Sequence, residues 1–94
     1  MNKYNFKNIT LGAPTTTTVK TGSGVLHNIT INKATAGAVI AIYDGAAATG
    51  TLIGTITMPA TLLQTSVSLN YDVAFVTNLT IVTTTAQDIT ISFE

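Results

Sequence analysis

His27 is the only histidine in a chain of 94 residues, and the acids that could work with it are Asp44, Asp72, Asp88 and Glu94. A serine–histidine–aspartate relay needs a hydroxyl to attack, an imidazole to take its proton and a carboxylate to orient the ring. Ser23 or Ser66 with His27 and one of Asp44, Asp72 or Asp88 supplies those types. The setting is wrong, because none of the serines sits at the strand, sharp turn and helix that expose a nucleophile. In strand parity His27 falls with Val25, Ile29 and Ile31, which predicts an inward-facing, partly buried histidine rather than a base or a metal ligand. The acids are separated by turns or strands, and nothing fixes two of them at the spacing that paired-carboxylate chemistry requires.

The remaining motifs also read as structure. Asp44-Gly45 fits a hairpin turn, in which Asp bonds its own backbone and Gly takes a positive φ. Gly22-Ser23-Gly24 looks like part of a phosphate loop, but no helix follows whose N-terminus would hold an anion. Asn-x-Thr occurs at Asn8, Asn28 and Asn78, a pattern that a threonine-rich chain produces by chance. We therefore assign no catalytic, cofactor-binding or metal-binding residue, and expect a protein that is not an enzyme and carries no cofactor.

The composition agrees with that expectation. Charged residues make up 9% of the chain against roughly 25% in an ordinary soluble domain, so the surface must be built from something else. Threonine takes that place with 20 positions; its β-branched carbon favours strands and its hydroxyl tolerates water. Net charge is zero, there is no Arg, and Lys3, Lys7, Lys20 and Lys33 are scattered, so no basic patch forms for nucleic acid. The lack of Cys removes disulfides and thiolate chemistry. Residues 1–7 lack the apolar stretch of a secretion signal, and no run approaches the ~18 apolar residues of a membrane span. These features predict synthesis in the cytoplasm and no membrane partner.

The elements that carry these residues are strands. Val67, Leu69, Tyr71, Val73 and Phe75 alternate with polar residues, the period of a strand with one face buried. The form Asn/Asp, apolar, Thr, apolar recurs at residues 8–11, 28–31, 78–81 and 88–91 without a fixed spacing, as a shared solution for one-face-buried strands. Turn signals lie at Gly12-Ala13-Pro14, Thr21–Gly24, Asp44-Gly45 with Gly50, Met58-Pro59 and Thr84–Gln87. Strands are predicted near 5–11, 15–20, 24–32, 38–44, 51–58, 65–71, 73–76, 79–83 and 88–94. That pattern predicts an all-β fold: one domain built as an antiparallel β-sandwich or jelly-roll-like barrel. Residues 1–20 form an N-terminal arm and first strands that could dock on a partner, and 21–94 form the sandwich core. Val39–Tyr43 and Leu52-Ile53 place apolar side chains on both faces, so these strands should meet the core on one side and a neighbour on the other. Strand edges carry few Lys, Pro or inward charges, a second sign of assembly.

Three stretches carry a family resemblance: Thr21-Gly22-Ser23-Gly24-Val25-Leu26-His27-Asn28-Ile29, Ile42-Tyr43-Asp44-Gly45, and Tyr71-Asp72-Val73-Ala74-Phe75 with Leu79-Thr80-Ile81-Val82. In their order and in the closing Asp88-Ile89-Thr90-Ile91 strand, the chain resembles small β-sandwich structural proteins of tailed bacteriophages over about residues 21–94. Those proteins often have Gly before the Leu-Thr strand where this chain has Asn78, and Asn also tolerates left-handed geometry. The resemblance implies a virion component, a capsid decoration or cement protein that sits as a homotrimer on the capsid surface. It would tie neighbouring copies of the major capsid protein, or another virion protein, together against the pressure of packaged DNA. A receptor- or glycan-binding module of a phage fibre or head appendage is the alternative. Sugar stacking favours exposed aromatics, and the chain has three Tyr and no Trp.

Overall fold

The computed structural model describes residues 4–10, 15–33, 35–46, 49–58, 67–84 and 87–94. The predicted turn at Gly12-Ala13-Pro14, Pro59, Ser66 and Thr85-Ala86 lie outside the described residues. Among the described residues eight strands follow one another: β1 (Asn5–Ile9), β2 (Thr15–Thr21), β3 (Gly24–Lys33), β4 (Val39–Asp44), β5 (Thr51–Thr57), β6 (Val67–Phe75), β7 (Asn78–Thr83) and β8 (Asp88–Phe93). They form two four-stranded sheets, ordered β1-β8-β3-β6 and β2-β7-β4-β5. The fold is all-β, an antiparallel β-sandwich, as the alternation predicts.

The connectivity has a simple logic. β1 pairs with β8, β2 with β7, β3 with β6 and β4 with β5, all antiparallel. The chain is thus one long ribbon folded back at the β4–β5 turn. Further pairings of β3 with β8 and β4 with β7 roll that ribbon into two sheets. This winding is jelly-roll topology.

Alternation decides what fills the space between the sheets. Leu26, Ile29 and Ile31 of β3, Ile89 and Ile91 of β8 and Phe75 of β6 face Ile40 and Ile42 of β4 and Leu79 and Ile81 of β7, all fully buried. Seven of the apolar positions in the recurring Asn/Asp, apolar, Thr, apolar pattern, namely Ile9, Ile29, Ile31, Leu79, Ile81, Ile89 and Ile91, are core residues. β-Branched Ile suits both the strand and the close packing of two inner faces.

Two expectations need correction, and one device explains both. The strands predicted at 65–71 and 73–76 are a single nine-residue strand, β6. Between the pairs Leu26↔Val73 and Asn28↔Asn70, His27 stands opposite two residues, Tyr71 and Asp72. This β-bulge absorbs the extra residue without ending the ladder, and Asp72 takes it up with a φ of 49°, a left-handed value that Asp tolerates. On its other side β3 carries one residue more than β8 between Leu26↔Phe93 and Asn28↔Ser92. The phase of β3 therefore slips at His27: Leu26 is buried before the slip, Ile29 and Ile31 after it. His27 does not share the inward face with Ile29 and Ile31, contrary to simple parity, and Val25 pairs with the exposed Ala74.

The packing account predicts a large contrast between two apolar truncations. Ile91→Ala should cost about 2–5 kcal/mol in urea unfolding, because it empties space that neighbouring side chains cannot refill. Val76→Ala, at an exposed turn position, should change stability by less than about 0.5 kcal/mol.

Candidate functional site

The bulge brings together residues that are far apart in sequence. His27 Nδ1 lies 2.6 Å from Asp72 Oδ1. A carboxylate only accepts hydrogen bonds, so Nδ1 carries the proton and donates it, which leaves Nε2 as the second ring nitrogen. The Tyr4 ring, just before β1, stacks on the imidazole with centroids 4.1 Å apart and planes 10° from parallel. The His27 and Asp72 side chains are 29% and 63% exposed. Of the relay sketched from residue types, the structure joins the histidine with Asp72. Among the described residues no serine hydroxyl bonds to His27. What remains is an oriented, half-exposed imidazole clamped between a carboxylate and an aromatic ring.

The other acids hold the backbone and the surface ladder. Asp44 accepts the N–H of Val76 at Oδ2 (2.9 Å) and of Thr77 at Oδ1 (2.8 Å), tying the β4 end to the β6–β7 turn. Gly45, with φ of 112°, follows it, donates its N–H to the Asn78 carbonyl and accepts from the buried Thr80 hydroxyl at 2.7 Å. This is more than a hairpin turn closing on itself: Asp44-Gly45 fastens two turns together. The Thr77 N–H, then that of Val76, hold the Asp44 carboxyl below its ordinary value of 3.8. Asp88 Oδ1 accepts from Asn8 Nδ2 at 2.8 Å and from Asn32 Nδ2 at 3.1 Å. Those two amides, with Lys33 nearby, lower its pKa as well.

The two outer faces differ in kind. On the β1-β8-β3-β6 sheet, Asn8 and Asn32 also donate to Thr90 Oγ1 at 3.2 and 3.0 Å, and Thr30 bonds Ser68 at 3.1 Å. With Asn28, Asn70 and Ser92 these make a continuous polar ladder, flanked by Asp72, Asp88 and the exposed Phe6. On the β2-β7-β4-β5 sheet, register places Thr16, Thr18, Thr80, Val82, Val39, Ala41, Tyr43, Leu52, Thr55 and Thr57 on one outer face. None of these carries a charge. Leu52 is 52% exposed, and Val39, Ala41, Tyr43 and Val82 are half-buried. The apolar pattern on both faces of Val39–Tyr43 and at Leu52 is the sequence signal for this surface.

The structure adds residues that spacing did not point to. Tyr4 reaches His27 only through the β1–β8–β3 pairing. Gln87 is buried beside Lys33 and Asp88, where the β3 and β8 ends meet, and among the described residues its amide has no hydrogen-bond partner. Among the described residues no cluster of His, Cys, Asp and Glu could hold a metal ion, and no helix is long and apolar enough to cross a membrane. Comparison with protein-family models, curated proteins and solved structures finds no match to this chain.

Two measurements check these assignments. Asp44 and Asp88 have folded-state pKa values below their ordinary value of 3.8, so the stability they contribute is complete above that value and is lost as pH falls below it. Thermal midpoints should therefore be flat from neutral pH down to about pH 5 and drop at lower pH, and Asp44→Asn with Asp88→Asn should flatten that acid limb. His27→Leu should remove the upfield ring-current shift of the Tyr4 protons in NMR and cost on the order of 0.5–1 kcal/mol, the worth of one exposed aromatic stack. A loss several times larger would show that His27 holds more of the fold than this contact.

Proposed function

We propose that the protein is a structural virion component, a capsid decoration protein that docks on the lattice of the major capsid protein and stabilises the head. The observation that carries this reading is the uncharged outer face of the β2-β7-β4-β5 sheet, which stands against a hydrogen-bonded polar ladder on the opposite sheet. A face of threonine methyls, Val39, Ala41, Tyr43, Leu52 and Val82 loses little on leaving water, because no ion must be desolvated. The likeness of residues 21–94 to phage β-sandwich proteins supports the same reading. The jelly-roll winding is compatible with it, since viral capsid domains use that fold, though a fold by itself hosts many functions.

The mechanism is mechanical. Four strands about 4.8 Å apart and six residues long at ~3.3 Å each give a face of roughly 400 Å². A standard protein pair buries about 800 Å² per partner. One such contact is weak, and strength comes from several copies, arranged as a homotrimer, engaging one lattice at high effective concentration. Such a protein is made in the host cytoplasm and acts on the capsid surface.

One observation favours a second reading, a glycan-binding module. Phe6 is 75% exposed and shares its face with Tyr4, His27 and Asp72, and an aromatic plane beside polar groups is the chemistry of sugar stacking.

Charge insertion separates the readings. Leu52→Lys and Thr55→Lys lie at exposed positions and should leave the thermal midpoint nearly unchanged while weakening binding to expanded capsids at least about tenfold. Retained capsid binding in both variants, or a wild-type chain that stays monomeric in light scattering and ignores capsids, would defeat the docking proposal. Glycan-array binding abolished by Phe6→Ala would establish the second reading instead.

A further inference from the structure

We propose that β1 is an exchangeable strand, which leaves its own β8 to take the same place on β8 of a second copy of the chain. β1 is the most exposed of the described strands: four of its five residues are exposed and only Ile9 is buried. Among the described strands it pairs with β8 alone, and it precedes the other seven in the chain. Peeling it away opens no other pairing, and local opening is easiest where few apolar contacts hold an element.

Lys7 decides between exchange and simple addition of a strand. It stands opposite Ile91, a fully buried residue, and shares its parity with Ile9 of the core. Alternation therefore sends Lys7 toward the inner side of its sheet. It stays exposed because β1 ends the sheet, and with Ile9 and Thr17 it lines an opening of about 210 Å³ between the β1 and β2 edges. A charge aimed inward from an edge strand resists another strand laid beside it, because the newcomer would cover the ammonium. Exchange leaves Lys7 in the setting it already has.

The occupant of a vacated β8 edge follows from what β1 supplies. Asn8 Nδ2 donates to Asp88 Oδ1 at 2.8 Å and to the Ile89 carbonyl at 3.0 Å. Ile9 joins the core, and Tyr4, one residue before β1, stacks on His27. Every copy of the chain carries these groups at the spacing that β8 and β3 require, so a second copy restores each contact that opening removes. Residues 10–14 join β1 to β2, and that length of extended chain spans up to about 20 Å, roughly four strand spacings. This inference rests on the proposed function for the association of copies and names the contact that ties them. It is independent of which face meets the capsid.

The test uses the full chain, which has no Cys of its own. Phe6 and Ser92 are opposed across β1 and β8, with Cβ atoms about 4.5–5.5 Å apart, within reach of a short bismaleimide. Phe6→Cys and Ser92→Cys chains are refolded together at a concentration where light scattering shows oligomers. They should link between chains, 6 to 92, at least about tenfold more than Phe6→Cys with Val76→Cys, whose thiol lies at an exposed turn. The double variant, linked within one chain at high dilution, should stay monomeric when concentrated, whereas the same variant capped with N-ethylmaleimide should associate as the wild type does. The exchange is overturned if 6-to-92 linkage between chains does not exceed the Val76 control, or if the internally linked chain associates as readily as the capped one. It is also overturned if the wild-type chain stays monomeric both free and on expanded capsids, or if no 6-to-92 link forms within or between chains. Capsid binding without linkage between copies removes the exchange and leaves docking standing, and linkage between copies of a chain that ignores capsids does the reverse.

Discussion

Leu26, Ile29, Ile31, Ile89 and Ile91 on one sheet press against Ile40, Ile42, Leu79 and Ile81 on the other, and the rest of the molecule is arranged around that contact. Each strand has two faces, and only one can enter the space between the sheets. Among the described residues the buried side chains form one such core. Rolling the ribbon so that the first strand pairs with the last closes the core at both ends of the sequence. Among the described strands it also leaves β1, β6, β2 and β5 at the sheet edges. The chemistry of those edges and of the two outer faces then decides what the molecule can meet.

The outer faces answer that demand differently. The polar ladder on the β1-β8-β3-β6 sheet spends its amides and hydroxyls on one another, with Asn8 and Asn32 converging on Asp88 and Thr90. Asn8, Asn32, Thr30, Ser68, Asp88 and Thr90 bond one another, and Asn28, Asn70 and Ser92 extend the same polar surface. The β2-β7-β4-β5 face presents threonine and tyrosine hydroxyls among aliphatic side chains and has no charge to keep solvated. Half-buried aliphatic side chains there lose little by being covered and gain from it. This asymmetry, more than any single residue, gives the molecule a front and a back.

The ionisable residues show how one constraint can absorb what looks like chemistry. Asp44 has the type and the setting of a turn residue, yet its carboxylate accepts the Val76 and Thr77 amides of another turn. Asp88 anchors the ladder. His27 and Asp72 meet because a bulge had to accommodate an extra residue, and Tyr4 covers the ring because β1 runs past it. In each case a backbone or packing requirement accounts for the polar group's position. Gln87 is the departure, since among the described residues its buried amide has no hydrogen-bond partner.

Alternation and turn residues made the strands, the turns and the all-β class legible in the sequence, because these are local consequences of side-chain direction and backbone freedom. The shortage of charge was equally plain, and the doubly apolar Val39–Tyr43 stretch foreshadowed the neutral face. Pairing decided the rest. A register slip at His27 turned it away from the Ile29 face, fused two predicted strands into β6 and delivered Asp72 to the ring. Neither Tyr4 on His27 nor Gln87 beside Lys33 follows from spacing, because each contact exists only after strands remote in sequence have been laid side by side. A period of two fixes which side chains alternate. It does not count the residues in the opposing strand, and that mismatch set the geometry of the site.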